Sequence, residues 1–231
     1  MLMLCVDASG KSAAAAVCKD ETILAQNFEN NGFTHSQTLL PLVDRTLKEA
    51  GVNIREIDTF AVTNGPGSFT GLRIGCALIK GLAGQRPCVG VPTLLALAWN
   101  AAERAGDIII PMMDARCNQV YTAVFESRDG RIHRLAPDCA EAVTEVEQKI
   151  AFYHNAGRNI TVLGDGAYLL SDAAAALVRP MPTEKMLITA DSVARAAAAL
   201  KRVPAEQLGL CYLRLSQAER ERNMKIGRKN K

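Results

Sequence analysis

The stretch of this sequence most suited to chemistry is a glycine-rich turn, Gly65-Pro66-Gly67-Ser68-Phe69-Thr70-Gly71, with an apolar segment before it and a helical pattern after it as far as Gly84. Strand, glycine turn and helix is the layout in which backbone N–H groups at a helix N-terminus face an anion or a partner chain. Gly65 and Gly67 mark backbone that needs a positive φ or a close approach. Pro66 between them stiffens the turn. Two nucleotide readings fail on spacing. A G-x-x-x-x-G-K-[ST] phosphate loop needs a lysine after its last glycine, and Gly71 is followed by Leu72-Arg73. A dinucleotide fingerprint needs G-x-G-x-x-G, and the glycines here are one residue too far apart. The plain alternative is a strand-to-helix connection whose glycines only permit tight packing.

Other reactive side chains are sparse. The three histidines, His35, His133 and His154, never share a helical turn, so no metal site is expected. The seven cysteines are scattered and form no C-x-x-C pair, which fits small buried hydrophobes better than a disulfide framework. No nucleophile stands beside a histidine and an acid, which argues against a peptidase. Asp114-Ala115-Arg116 places an acid and an arginine at a strand end. Facing a cleft they would hold a ligand; paired with each other they would brace a hairpin. Both readings stay open.

The helix after the turn carries Gly71 and Gly75 four residues apart on one face, with Leu72, Ile74, Leu78, Ile79 and Leu82 spread over others. A helix apolar on several sides must bury more than one of them. Either it is sandwiched inside its own domain, or it rests one face on a sheet and offers another to a partner.

The chain has 231 residues, 48% of them hydrophobic and 22% charged, the profile of a globular protein of one large or two small domains. No apolar run approaches the roughly 20 residues of a membrane span, and Asp7 interrupts any signal-peptide core, so a cytoplasmic location without membrane contact is expected. The net charge of +3 is uneven. Residues 219–231 carry +4, leaving about −1 on the remainder. Any basic footprint for nucleic acid therefore lies in the tail, which otherwise reads as a solvated end.

In chain order the pattern is α/β. Strands are predicted at 3–8, 13–18, 22–29, 59–63 and 88–91, with helices at 36–50, after the glycine turn, and at 94–105. Strands at 108–113, 119–126, 132–135 and 160–163 follow, with helices at 143–153, 168–178 and 192–202. Two successive β-β-β-α-β-α units suggest duplication, the second copy truncated. The expected division is 1–105, 106–216, and a basic tail 217–231.

That plan resembles the actin, heat-shock-70 and sugar-kinase (ASKHA, ribonuclease H-like) class of ATPases. In that class an acid ending each first strand serves metal and phosphate, and a late glycine turn serves adenosine. The resemblance puts Asp7 and Ser9 of Asp7-Ala8-Ser9-Gly10 at the first position, Asp114 with Arg116 at the second, and Gly164 and Gly166 of Gly164-Asp165-Gly166-Ala167 at the adenosine turn. The Gly10-Lys11-Ser12 hairpin is short for wrapping phosphates.

A closer resemblance rests on Thr34-His35-Ser36-Gln37 with Leu40-Pro41, the run from Asn64 through Gly-Pro-Gly-Ser-Phe-Thr-Gly-Leu-Arg-Ile to Gly75, Gly90-Val-Pro-Thr-Leu94, Asp114-Ala-Arg116, Val120-Tyr121 and Tyr212-Leu-Arg214. In this order they resemble the bacterial TsaB (YeaZ) family. The resemblance implies a non-catalytic partner of TsaD in making threonylcarbamoyladenosine on tRNA beside the anticodon. It implies a heterodimer with TsaD through first-domain helices, TsaE joining, and tRNA contacted indirectly. The expected surface comprises His35, Leu39, Leu42, Val43, Thr46, Phe69, Gly71, Arg73, Gly75 and Ile79, which would equally serve a homodimer. No catalytic residue and no cofactor are expected, with weak ATP or ADP binding at a subunit interface as the remaining option. The resemblance also implies that TsaD carries two metal-binding histidines four residues apart; the aligned positions here are Thr93 and Leu97. The alternatives are a free-standing ATP-dependent small-molecule kinase of the same class, or a peptidase.

Overall fold

The structure is a computed structural model that describes residues 1–20, 22–30, 32 and 34–214. The basic tail expected at 217–231 lies outside the described residues. The elements are β1 (Leu2–Asp7), β2 (Ala13–Lys19), β3 (Thr22–Glu29), α1 (His35–Ala50), β4 (Thr59–Gly65), α2 (Phe69–Ala83), β5 (Cys88–Pro92), α3 (Thr93–Trp99), β6 (Ile108–Asp114), β7 (Gln119–Arg128), β8 (Arg131–Ala142), α4 (Val143–Asn155), β9 (Ile160–Leu163), α5 (Asp172–Ala175) and α6 (Ala190–Ala198).

Two sheets repeat one plan. The first has the order β3-β2-β1-β4-β5 and the second β8-β7-β6-β9. In each, a strand pairs antiparallel with its hairpin neighbour and parallel with the strand after the next helix. Among the described residues the second sheet has no counterpart of β5. This is the duplicated plan of the actin, heat-shock-70 and sugar-kinase class with the second copy cut short.

Side-chain alternation builds the layers. Leu4, Val6, Ala15 and Val17 point to one face of the first sheet, where Leu39, Leu42 and Val43 of α1 and Cys76 and Ile79 of α2 cover them. Cys5, Cys18, Ala61 and Val89 point to the other face, onto Leu94 and Leu97 of α3 and Val193 and Ala196 of α6. Those two helices also meet Ile109, Tyr121 and Phe125 of the second sheet. The far face of that sheet packs on Val146 and Ile150 of α4. The result is helices, sheet, helices, sheet, helix.

Local chemistry sets the ends. α1 stops at Gly51, whose φ of 65° lets its N–H return to Leu47 and Lys48 carbonyls. α2 starts at Ser68, whose side chain accepts the Gly71 N–H. Three expected elements differ. The helix expected over 94–105 ends at Trp99, where the N–H groups of Asn100, Ala101 and Ala102 turn to carbonyls three residues back (Leu97, Ala98 and Trp99) and the segment continues as tighter turns. The helix expected over 168–178 is interrupted at Ser171, whose N–H bonds Glu147 at 2.7 Å and whose hydroxyl caps the short α5. β8 is far longer than 132–135. Beyond Ala190 the chain returns to the first sheet: α6 lies on it, and Val203 and Cys88 exchange backbone hydrogen bonds of 2.7 and 2.8 Å.

Candidate functional site

A cleft of about 370 Å3 opens between the two halves. Ser9 and Lys11 line it from the first hairpin, Ser68 and Phe69 from the start of α2, and Asp114 and Arg116 from the end of β6. A smaller pocket of about 130 Å3 beside it contains Asp7, Gly164 and Asp165. The strand-end residues expected at a cleft are thus brought together.

Asp7 closes β1 and is buried. One oxygen, Oδ1, accepts the Ser9 N–H at 3.0 Å, the Ser9 hydroxyl at 2.6 Å and the Thr63 hydroxyl at 2.6 Å. Burial pushes this carboxyl above its ordinary range, and those hydrogen bonds pull the other way. His35 stands close by, with Nε2 2.9 Å from the Gly10 carbonyl oxygen. Its Nδ1 is buried without a hydrogen-bond partner among the described residues.

Across the cleft, the Asp114 carboxylate accepts the Arg116 N–H at 2.7 Å and the Tyr168 hydroxyl at 3.2 Å. That hydrogen bond raises the Tyr168 hydroxyl above its ordinary range. The Asp114 N–H donates to Asp165 at 3.0 Å. Burial raises the Asp165 carboxyl, and the nearby Asp114 charge adds to this while Lys11 opposes it. Arg116, Cys117 and Asn118 all have positive φ, at 63°, 56° and 55°, a left-handed run that non-glycine residues adopt only when surroundings force it. The bracing reading of Asp114 is present, but through the Arg116 backbone. The Arg116 side chain is exposed and forms no ion pair among the described residues.

The glycines of both turns are spacing devices. A Cβ on Gly67 would come 2.5 Å from the Ser9 carbonyl oxygen, and one on Gly164 would come 2.1 Å from that of Met112. Gly166 backs onto Val120 and the Asp114 backbone and does not reach the cleft.

The expected partner surface needs correction. Leu39, Leu42, Val43, Thr46, Gly71, Gly75 and Ile79 are buried within the chain's own fold, because the sheet takes that face of both helices. Gly71 packs under the Ala8 carbonyl and Gly75 against Val62. His35 is half-buried against Gly71. Only Arg73 is exposed on the outer side, with Phe69 partly so. The outer face of α2 instead shows Arg73, Ala77 and Gly81, with nothing within 4 Å of a Cβ on Gly81. Beside it α1 shows Leu40, 53% exposed, and Asp44 paired with Lys48 at 2.6 Å. The signal for this stripe was in the sequence: small residues four apart, displaced two positions along from Gly75.

The two positions that the resemblance sets against a pair of metal-binding histidines do not fit a metal. Thr93 is buried and its hydroxyl accepts the Gly65 N–H at 3.1 Å. Leu97 is buried between the sheets.

Comparison with known proteins adds the following. The family model for TsaD, tRNA N6-adenosine threonylcarbamoyltransferase, matches residues 23–221. The chain is 34% identical to the tRNA threonylcarbamoyladenosine biosynthesis protein TsaB of Escherichia coli over 135 residues, 57% of this chain and 58% of that protein. It is 32% identical to the Bacillus subtilis TsaB over 140 residues, 60% and 61% of the two chains. The match to the Chlamydia abortus tRNA N6-adenosine threonylcarbamoyltransferase is 33% identical over 51% of this chain and 35% of that protein. These matches span less than two-thirds of the length of the curated relatives. A Pseudomonas aeruginosa structure described as similar to peptidase YEAZ superposes with a TM-score of 0.76 at 26% identity, covering 92% of this chain and 99% of that one.

Proposed function

The chain belongs to the TsaD family of tRNA N6-adenosine threonylcarbamoyltransferase proteins, and from that premise we propose that it acts in threonylcarbamoyladenosine synthesis as a TsaB-type, non-catalytic subunit. The observation that carries the non-catalytic part is the pair Thr93 and Leu97. Where a catalytic relative needs two imidazoles, this chain has a hydroxyl committed to the Gly65 N–H and a leucine in the core. Neither can ligate a metal.

The role left to the chain is to hold a TsaD-type subunit in its working form. The outer face of α1 and α2 suits that role. Ala77 and Gly81 permit a facing helix to approach closely, Leu40 supplies apolar area, and Arg73 supplies a charge that selects the partner. A second copy of this chain competes for the same face, since a two-fold interface uses one patch twice. TsaE joins the assembled pair, tRNA is met through the TsaD-type subunit, and the setting is the cytoplasm. No helix of the described residues is long and apolar enough to cross a membrane.

The cleft supports a second reading. Lys11 and Arg116 with the α2 N-terminus suit weak binding of ATP or ADP. As a kinase, however, the chain would need Asp7 to serve metal or base chemistry, and Ser9 and Thr63 already engage its Oδ1, which leaves one oxygen of a buried carboxyl for that work. Reconstitution tests the proposal. Modification of tRNA should require both this chain and the TsaD-type subunit, and this chain alone should transfer nothing. Transfer by this chain alone, or full activity without it, overturns the proposal.

A further inference from the structure

The stretch from Leu208 to Arg214 joins parts that chain order keeps apart. Leu208 packs in the core beneath α2. Asn64 then grips the chain twice: its amide donates to the Gly209 carbonyl at 3.2 Å, and its own carbonyl accepts the Cys211 N–H at 2.7 Å. The Cys211 carbonyl lies so close over Gly65 that a Cβ there would be 2.0 Å from it. Tyr212 stacks on Phe69, with centroids 4.3 Å apart and planes 8° from parallel. Arg73 donates to the Tyr212 hydroxyl at 3.0 Å and sits 5.7 Å from both ring centroids. Two residues on, Arg214 donates to the Ala115 carbonyl at 2.7 Å.

Phe69 and Ala115 line opposite walls of the cleft. One begins α2; the other opens the left-handed turn after β6. We propose that residues 209–214 are a strap that ties these walls together and fixes Arg73 on the outer face of α2, so that opening of the cleft and docking at α2 are coupled. The coupling follows from the geometry. If the second half swings away, either Arg214 loses Ala115 or Tyr212 is drawn off Phe69. Once the stack is lost, Arg73 keeps the Phe69 ring on its own helix but loses its hydrogen bond and the Tyr212 ring, and regains rotamer freedom. Conversely, a partner that holds Arg73 in place favours the stacked strap and the closed cleft. The tie stands on these contacts alone, whereas its effect on docking rests on the α2-docking proposal above.

Hydrogen exchange by mass spectrometry on the full chain tests the tie, with melting temperature as a control. Tyr212→Ala and Arg214→Ala should each raise exchange in residues 113–121 and 65–73 together. Faster exchange confined to 209–214 overturns the tie. If Tyr212→Ala does not fold, Arg214→Ala decides, since it removes one hydrogen bond at the strap's end. Titration against the TsaD-type subunit tests the docking arm. Tyr212→Phe keeps the stack and should weaken binding about threefold, the scale of one exposed hydrogen bond. If Ala77→Arg weakens binding and Tyr212→Phe does not, the Arg73 arm falls while the docking proposal stands. If Ala77→Arg binds like the wild type, the docking proposal itself fails.

Discussion

Gly71 sits directly beneath the Ala8 carbonyl, so close that a Cβ at Gly71 would lie 2.0 Å from that oxygen. Helix α2 therefore meets the end of β1 backbone to backbone, and this contact sets where the glycine turn enters the cleft.

Gly71→Ala should accordingly destabilise the fold. Overpacking of about 1–3 kcal/mol outweighs the roughly 1 kcal/mol that alanine gains over glycine in a helix. Gly75→Ala should be close to neutral, because its Cβ would meet no backbone, only the Val62 methyl at 3.3 Å and the Ala8 methyl at 3.5 Å. Thermal melts of the two variants check the order, and equal melting temperatures would contradict it.

Thr93→Val should cost about 1–2 kcal/mol by leaving the Gly65 N–H without its buried acceptor. Denaturant unfolding measures this. A silent substitution would mean that the hydroxyl does not hold the turn.

Asp7 carries a pH signature. Its folded carboxyl is raised above the ordinary value of 3.8, chiefly by burial. The folded state therefore holds the proton more tightly than the unfolded state. This contribution is fully present below 3.8 and is lost as pH rises through the folded value. Asp165 acts in the same direction. Asp7→Asn keeps an acceptor for Ser9 and Thr63 and should flatten stability against pH across the mildly acidic range. An unchanged slope would show that Asp7 titrates normally.

Much of this architecture was legible in the sequence, because alternation marks the strands and helical spacing marks α1. The break at Ser171 was not, since it depends on Glu147 from a distant helix. Which face of α2 points outward was also beyond the sequence. Gly71 and Gly75 satisfy a small-residue stripe as well as Ala77 and Gly81 do, and only the position of β1 decides between them. The cleft acids Asp7 and Asp114 were visible as strand ends. Lys11 and Asp165 were not, because they belong to short turns whose facing requires both halves in place. The strap was present only as the motif Tyr212-Leu213-Arg214, with no sign of its contacts to Phe69 and Ala115.

Ala77→Arg should leave stability within about 0.5 kcal/mol, as an exposed substitution does, while blocking close approach of a facing helix. Matched melting temperatures for variant and wild type would confirm that this face is external.

Titration calorimetry of the wild-type chain and of Ala77→Arg against the TsaD-type subunit tests the central claim most directly. The account predicts one-to-one binding by the wild type and at least about tenfold weaker binding by the variant, a loss of roughly 1.4 kcal/mol. No heat with the subunit, alongside clear stoichiometric binding of ATP, would contradict it and return attention to the cleft as an active site.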